Sequence, residues 1–272
     1  MILTELKEVA RQIRRDTLEM VYAVKSGHPG GALSIADLLA VLYFAELQVR
    51  PENPEWEDRD RLILSKGHAC TSLYAALAER GYFPKKQLFS LRQYQSILQG
   101  HPDMKVTPGV DMSSGSLGQG LSVGNGMALA ARLQHKTYRV YVLLGDGELE
   151  EGQVWEAAMA AAHYGLGNLT AIVDVNGLQI NGATDEVMRI EPLDEKFRSF
   201  GWQVVNIDGH DIEQIQKAFD AARECEEKPT VILAKTIKGK GVSFMENQAK
   251  WHSGVLTEAE YQQAMQELGG EA

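Results

Sequence analysis

The chain is predicted to be an α/β protein built on a parallel sheet covered by helices on both faces. Three observations carry that expectation. Apolar runs of strand length, at residues 140–144, Leu169–Val175 and Thr230–Lys235, carry almost no polar interruption, as strands buried on both faces do. Amphipathic stretches of helix length separate them, which is the alternation of a parallel sheet. The 272 residues are 44% hydrophobic and 24% charged, enough to bury a substantial core.

The elements follow in order. Leu3, Leu6, Val9, Ile13, Leu18, Val21 and Val24 recur at helical spacing, and Gly27 with Pro29 beyond it predicts the stop. Ser34-Ile35-Ala36-Asp37 reads as a capping box opening a helix that runs to Leu47. Residues 61–65 read as a short strand, and Cys70–Arg80 as a helix closed by Gly81. Residues 115–133 predict a helix carrying Gly118, Gly120, Gly124 and Gly126 and then Ala128, Ala130 and Ala131, which leave part of its face with little bulk. Glycine inside a helix costs about 1 kcal/mol, so close approach of a backbone or a ligand is expected there. Strands at 140–144, Leu169–Val175, 203–207 and Thr230–Lys235 then alternate with helices at 154–163, 193–200 and 212–223. Residues 236–272 form a loop-rich segment through Trp251 and a polar terminal helix. With no repeat, low-complexity stretch or charge block, residues 1–272 read as one domain.

Composition excludes several functions. A formal charge of −10 argues against nonspecific nucleic-acid or anionic-membrane binding. The most apolar helical stretch, 35–47, is broken by Asp37 and Glu46 and is too short to cross a bilayer. Glu5, Glu8 and Asp16 make the first segment unlike a signal peptide, and Cys70 and Cys225 form no CxxC pair, so a cytoplasmic location is expected. No strand leads into GxGxxG, which argues against a nicotinamide-dinucleotide site. A phosphorylated ligand is not excluded.

In parallel sheets, ligands sit outside the carboxyl ends of the strands. There stands Gly145-Asp146-Gly147-Glu148, and thirty residues after Asp146 comes Asn176, at the end of the next strand. Gly-Asp-Gly alone is equally a tight turn. Paired with the downstream Asn it aims two hard oxygen donors into one crevice, which suits Mg²⁺ completed by phosphate and water. Gly147 lets the backbone approach a diphosphate, and the helix behind it favours negative charge.

Gly-Asp-Gly followed about thirty residues later by Asn is the thiamine-diphosphate pattern, and other segments sharpen it. Ser26-Gly27-His28-Pro29-Gly30-Gly31, Leu64-Ser65-Lys66-Gly67-His68-Ala69, Gly100-His101-Pro102 and Gly115-Ser116-Leu117-Gly118-Gln119-Gly120 resemble transketolase segments. So do Asp208-Gly209-His210-Asp211, the run from Lys235 to Gly241, and Trp251-His252. They occur in transketolase order along nearly the whole chain. The chain resembles only the diphosphate-binding domain, as in the N-terminal subunit of a split transketolase. Two departures stand out: Asn176 is followed by Gly177, and Ser253 separates His252 from Gly254.

The resemblance implies a thiamine-diphosphate-binding fold, thiamine diphosphate with Mg²⁺ or another divalent cation such as Ca²⁺, and transfer of a two-carbon ketol unit from a ketose to an aldose. It implies that Asp146, Asn176 and the Leu178 carbonyl hold the metal and that the Gly147 amide meets the diphosphate. His68 and His252 resemble histidines at the diphosphate and reaction centre, His28 and His252 those near the substrate hydroxyl, and His101 one that binds the donor ketose. Gly115 and Leu117 resemble residues against the cofactor rings, and Glu151 a glutamate of the network joining two active sites. A C-terminal partner subunit carrying the pyrimidine domain, in an α2β2 heterotetramer, is implied as well, because the glutamate that activates the cofactor belongs to that domain.

The chemistry of the residues agrees. A ketose donor must lose a hydroxyl proton before its carbon–carbon bond breaks, and histidine titrates near neutrality. Four of the seven histidines, His28, His68, His101 and His252, fall in loops. His135 reads as a solvated helix end, His163 as a helix-packing residue, and His210 as part of a helix-start turn. The competing readings are a deoxyxylulose-phosphate synthase, a 2-oxo acid dehydrogenase component, and a subunit that binds the cofactor without catalysis. The SGHPGG and LSKGHA segments weigh against the first two, and the catalytic-type histidines against the third.

Overall fold

The computed structural model describes residues 1–269; the last three residues of the expected domain, 270–272, lie outside the described residues. Five parallel strands form the sheet: β1 (Arg61–Leu64), β2 (Val140–Gly145), β3 (Leu169–Val175), β6 (Gln203–Asp208) and β7 (Thr230–Lys235). Their order is β1-β2-β3-β7-β6. A short hairpin, β4 (Leu178–Gln179) and β5 (Gly182–Ala183), follows β3.

Side chains alternate across the sheet with the two-residue period of a strand. Leu62, Leu64, Tyr141, Leu143, Ile172 and Ile232 enter one core with α1 (Leu3–Val24), α3 (Ala36–Val41), α4 (Cys70–Arg80) and α9 (Ile212–Glu224). Ile63, Val140, Val142, Leu144, Ala171, Val173 and Val231 enter the other, with α5 (Gln119–Leu133), α6 (Gly152–His163) and α8 (Leu193–Ser199). Helices therefore cover both faces, as the sequence predicts. The short α2 (Pro29–Leu33) and α7 (Thr184–Val187) lie in connections, and α10 (Glu258–Glu267) closes a third cluster with Leu18, Val21, Leu33 and Trp251.

Several expectations are corrected. The Ser34 capping box does not form, and no single helix runs to Leu47. The chain makes α2 and then α3, followed by a π-turn at Leu42–Glu46. The Ser34 hydroxyl donates to the Gly31 carbonyl and to Asp174 (2.7 Å) rather than accepting from a helix amide. A buried carboxylate is the stronger acceptor. The first helix stops at Val24, with Lys25 in the left-handed conformation, before Gly27 is reached. His163 is exposed at the end of α6 and packs edge-on against Tyr164 instead of filling a helix interface.

The glycine-rich helix begins at Gln119, and Gly115 to Gly118 form the loop before it. Gly118 has φ +83°, and a Cβ there would lie 2.7 Å from the Cβ of Glu151. Within α5, a Cβ on Gly124 would fall 2.6 Å from Val142 Cγ2, and one on Gly120 would collide with Ser65. These two glycines therefore let α5 lie close on the sheet. Gly126 meets nothing within 4 Å.

Candidate active site

The carboxyl ends of β1, β2, β3 and β7 each release a loop toward α2, and these loops enclose a cavity of about 240 Å³. It is lined by His28, His68, His252, Asp146, Asn176 and Leu178, and also by Gly115, Leu117 and Gly147. His101 stands outside it, its ring against the other side of Gly115; a Cβ on that glycine would lie 3.2 Å from His101 Cδ2. The Tyr74 hydroxyl donates to the His101 carbonyl (3.0 Å) and fixes the loop. Glu151 is exposed beside Gly118.

Three imidazoles from distant parts of the chain meet. The His28 ring lies 5.3 Å from His68 and 5.7 Å from His252, and His68 lies 4.9 Å from His252, centroid to centroid. Burial, reinforced by Lys66, pushes His68 down to about 2, and burial with Lys238 pushes His252 down to about 4. His28 is lowered by burial and by Arg92, as is His101. The shifts all favour the uncharged ring. His28 Nδ1 is buried without a hydrogen-bond partner among the described residues. A buried polar atom left alone is costly, so this nitrogen is suited to a ligand hydroxyl.

Beneath the histidines lie two lysines to which the sequence pattern assigned no role. Lys66 and Lys238 both line the cavity and are nearly inaccessible to solvent. Lys66 Nζ donates to the Gly31 carbonyl (2.8 Å) and to Asp174 (2.5 Å). Asp174 is fully buried and also accepts from Asn176 Nδ2 (2.9 Å), Ser34 and Thr236. Burial alone would raise its pKa, yet the Lys66 ammonium and these donors hold it low, so it stays charged. Lys238 Nζ donates to the Leu178 carbonyl (3.0 Å) and lies 3.2 Å from His252 Nδ1. Burial and Lys66 bring it down to about 8. A signal was present, since both lysines sit inside segments that resemble those of transketolases. Lysines are rarely buried without a partner, and their burial is a tertiary fact that local sequence does not display.

Asp146 accepts from the Gly177 amide (2.5 Å) and, through its other oxygen, from the Gly147 amide (2.8 Å), so that amide, expected on the diphosphate, here faces the carboxylate. Burial and the neighbouring Asp174 raise Asp146 to about 6. Asn176 donates its amide nitrogen to Asp174, leaving its oxygen on the Leu178 amide (3.1 Å). The Asp146 carboxylate, the Asn176 amide and Leu178 line the same cavity, and hard oxygens of their kind suit Mg²⁺ or Ca²⁺. The Lys238 ammonium already donates to one of these oxygens, the Leu178 carbonyl. Glu148, also buried, accepts from the Gly118 (2.9 Å) and Gly145 (3.0 Å) amides and so ties the glycine loop to the end of β2.

Residues 6–272 match the family described as transketolase, thiamine diphosphate binding domain. The chain belongs to the transketolase family. It is 47% identical over 264 residues to the 6-deoxy-6-sulfo-D-fructose transketolase subunit SqwG of Clostridium sp. (strain MSTE9), covering 97% of this chain and 96% of that one. It is 44% identical to one subunit of the apulose-4-phosphate transketolase of Phocaeicola vulgatus, covering 94% and 90%. The solved transketolase from Campylobacter jejuni superposes with a TM-score of 0.94 at 35% identity, covering all of this chain but 44% of that one. The transketolase relation is therefore carried by both sequence and fold.

Proposed function

We propose that the chain is the diphosphate-binding, N-terminal subunit of a two-chain transketolase that moves a two-carbon ketol unit from a ketose to an aldose. The observation that carries this reading is the cavity itself. Three neutral histidines stand over two buried lysines and a hard-oxygen set, at the carboxyl ends of parallel strands. Such a lining suits a ligand that is anionic at one end and reactive at the other.

Lys66 and Lys238 offer positive charge to a diphosphate, while Asp146, Asn176 and the Leu178 carbonyl hold Mg²⁺ or a similar cation beside it. When bound, thiamine diphosphate would supply the electron sink that cleavage of the ketose carbon–carbon bond requires. His28, with its unpartnered nitrogen, and His252 accept the proton of the donor hydroxyl and return one to the acceptor. His101 holds the first carbons of the ketose at the mouth, and His68 fixes the diphosphate side. Gly115 and Leu117 lie against the cofactor rings, and Glu151 joins a network to a second site.

In this reading residues 1–272 act as one diphosphate domain, of which 236–272 supply the last active-site loop and the terminal helix. The pyrimidine pocket and the activating glutamate come from a C-terminal partner subunit in an α2β2 heterotetramer. An exposed Ile180 (68%) at the cavity rim suits cover by another chain. Among the described residues no helix is long and apolar enough to cross a membrane. Both cysteines are free, in keeping with action in the reducing cytoplasm. The test is to co-purify the chain with its partner and assay two-carbon transfer from phosphorylated, sulfonated and branched ketoses. Transfer from at least one supports the reading, and release of the donor's fragment without transfer to any aldose contradicts it.

A further inference from the structure

His210 lies outside the cavity, in the turn between β6 and α9, yet it is wired to the cavity's edge. Its Nε2 accepts the backbone amide of Ile237 (2.9 Å), and its Nδ1 lies 2.8 Å from Asp37 Oδ2. An amide can donate only to an unprotonated nitrogen, so the ring proton is on Nδ1 and is donated to Asp37. The ring is largely buried (12% exposed). Asp37 in turn pairs with Arg14 from α1 (2.5 Å), and Arg14 Nε donates to the Leu33 carbonyl at the end of α2 (3.3 Å). Burial works against the Asp37 charge, but Arg14 and His210 hold its pKa low.

The Arg14–Asp37–His210 chain thus begins at α1, passes α2 and α3, and ends on the residue before Lys238. Backbone bonds tie the same segment on either side, the Gly239 amide to the Gly30 carbonyl (2.9 Å) and the Thr236 amide to the Val175 carbonyl (3.1 Å), and the Lys238 carbonyl itself accepts from the Asn247 amide (2.9 Å). Between the first two clamps the Ile237 amide has His210 as its acceptor. We infer that His210 is a positioning residue: through Ile237 it sets where the Lys238 ammonium stands in the cavity, and so tunes its grip on an anionic ligand. The inference rests on the reading of the cavity as a diphosphate site.

Two substitutions separate this role from a structural one. His210→Gln keeps an acceptor where Nε2 stands and gives up the donor to Asp37. His210→Asn keeps a donor near Nδ1 and gives up the acceptor for Ile237. In the complex with the partner chain, thiamine diphosphate affinity measured by calorimetry should fall about tenfold in His210→Asn, the scale of one buried hydrogen bond left unmade. In His210→Gln it should stay within about threefold of the parent. Amide exchange at Ile237 should accelerate in the Asn variant and not in the Gln variant. In a Lys238→Ala background, His210→Asn should add no further loss, because the two act through one group. The opposite order of Asn and Gln, or losses that add in the double variant, would overturn the inference. If the parent complex itself fails to bind thiamine diphosphate, the diphosphate reading fails, and the exchange at Ile237 still decides whether His210 holds that amide.

Discussion

At the scale of single residues, charge and its placement dominate. Asp146 is the one carboxylate of the proposed oxygen set, so Asp146→Ala is expected to abolish cofactor retention; calorimetry on the assembled complex with Mg²⁺ present measures it. Unchanged cofactor affinity and metal dependence would remove Asp146 from the metal site. His28→Ala should slow turnover by about 10²–10⁴-fold, the usual contribution of positioned proton transfer, with a smaller effect on cofactor binding. A variant that binds cofactor poorly but turns over normally at saturation would assign His28 to binding instead. The half-buried histidines also fix a pH dependence. His252 is held near 4 and His68 near 2, both below the 6.5 of a solvated ring. As pH falls below about 6.5 the unfolded chain takes up protons that the folded chain refuses, so these two groups withdraw stability toward acid. The urea midpoint should therefore fall less between pH 7 and 5 in His68→Asn/His252→Asn than in the parent. Equal slopes would show that the rings are not held neutral in the fold. The histidines were legible in the sequence because each stands in a loop among glycines or prolines. Lys66 and Lys238 were legible only as members of family-like segments, because nothing local distinguishes a lysine such as Lys66, buried against a carboxylate 108 positions away, from one that will be solvated.

At the scale of elements, the five strands of the parallel sheet were readable to within about a residue, since near-continuous apolar runs have few alternative fates there, whereas the two-residue strands of the β4–β5 hairpin were not. Helix starts were less readable. Ser34 satisfies the pattern of a cap, but the buried Asp174 from β3 claims its hydroxyl, and tertiary structure overrides the local rule. The glycines of α5 mark close approach at some positions and not at others. Gly124→Ala should destabilise the chain by about 1–3 kcal/mol, because its methyl would meet Val142 in a filled core. Gly126→Ala should leave the isolated chain unchanged or stabilise it by up to about 1 kcal/mol, since nothing stands in the way and glycine is a poor helix former. Thermal melts of the two variants provide the comparison. Equal destabilisation would mean that α5 does not lie on the sheet as described.

At the scale of the whole molecule, a five-stranded parallel sheet gathers residues as far apart in sequence as His28 and His252 into one cavity. That gathering was foreseen by the resemblance and not by periodicity, which orders elements but does not bring their loops together. The cavity holds groups suited to a diphosphate, a cation and proton transfer. In the transketolase arrangement, the group that activates the cofactor comes from another domain, here proposed to reside on a partner of roughly 300 residues, judged from usual domain sizes. Two chains of each kind would close into a symmetric assembly. The most direct measurement is ketol transfer by the purified chain alone and after mixing with that partner. The account predicts no transfer and weak cofactor binding alone, with both restored on mixing. Ketol transfer by the isolated, sequence-verified chain would contradict it.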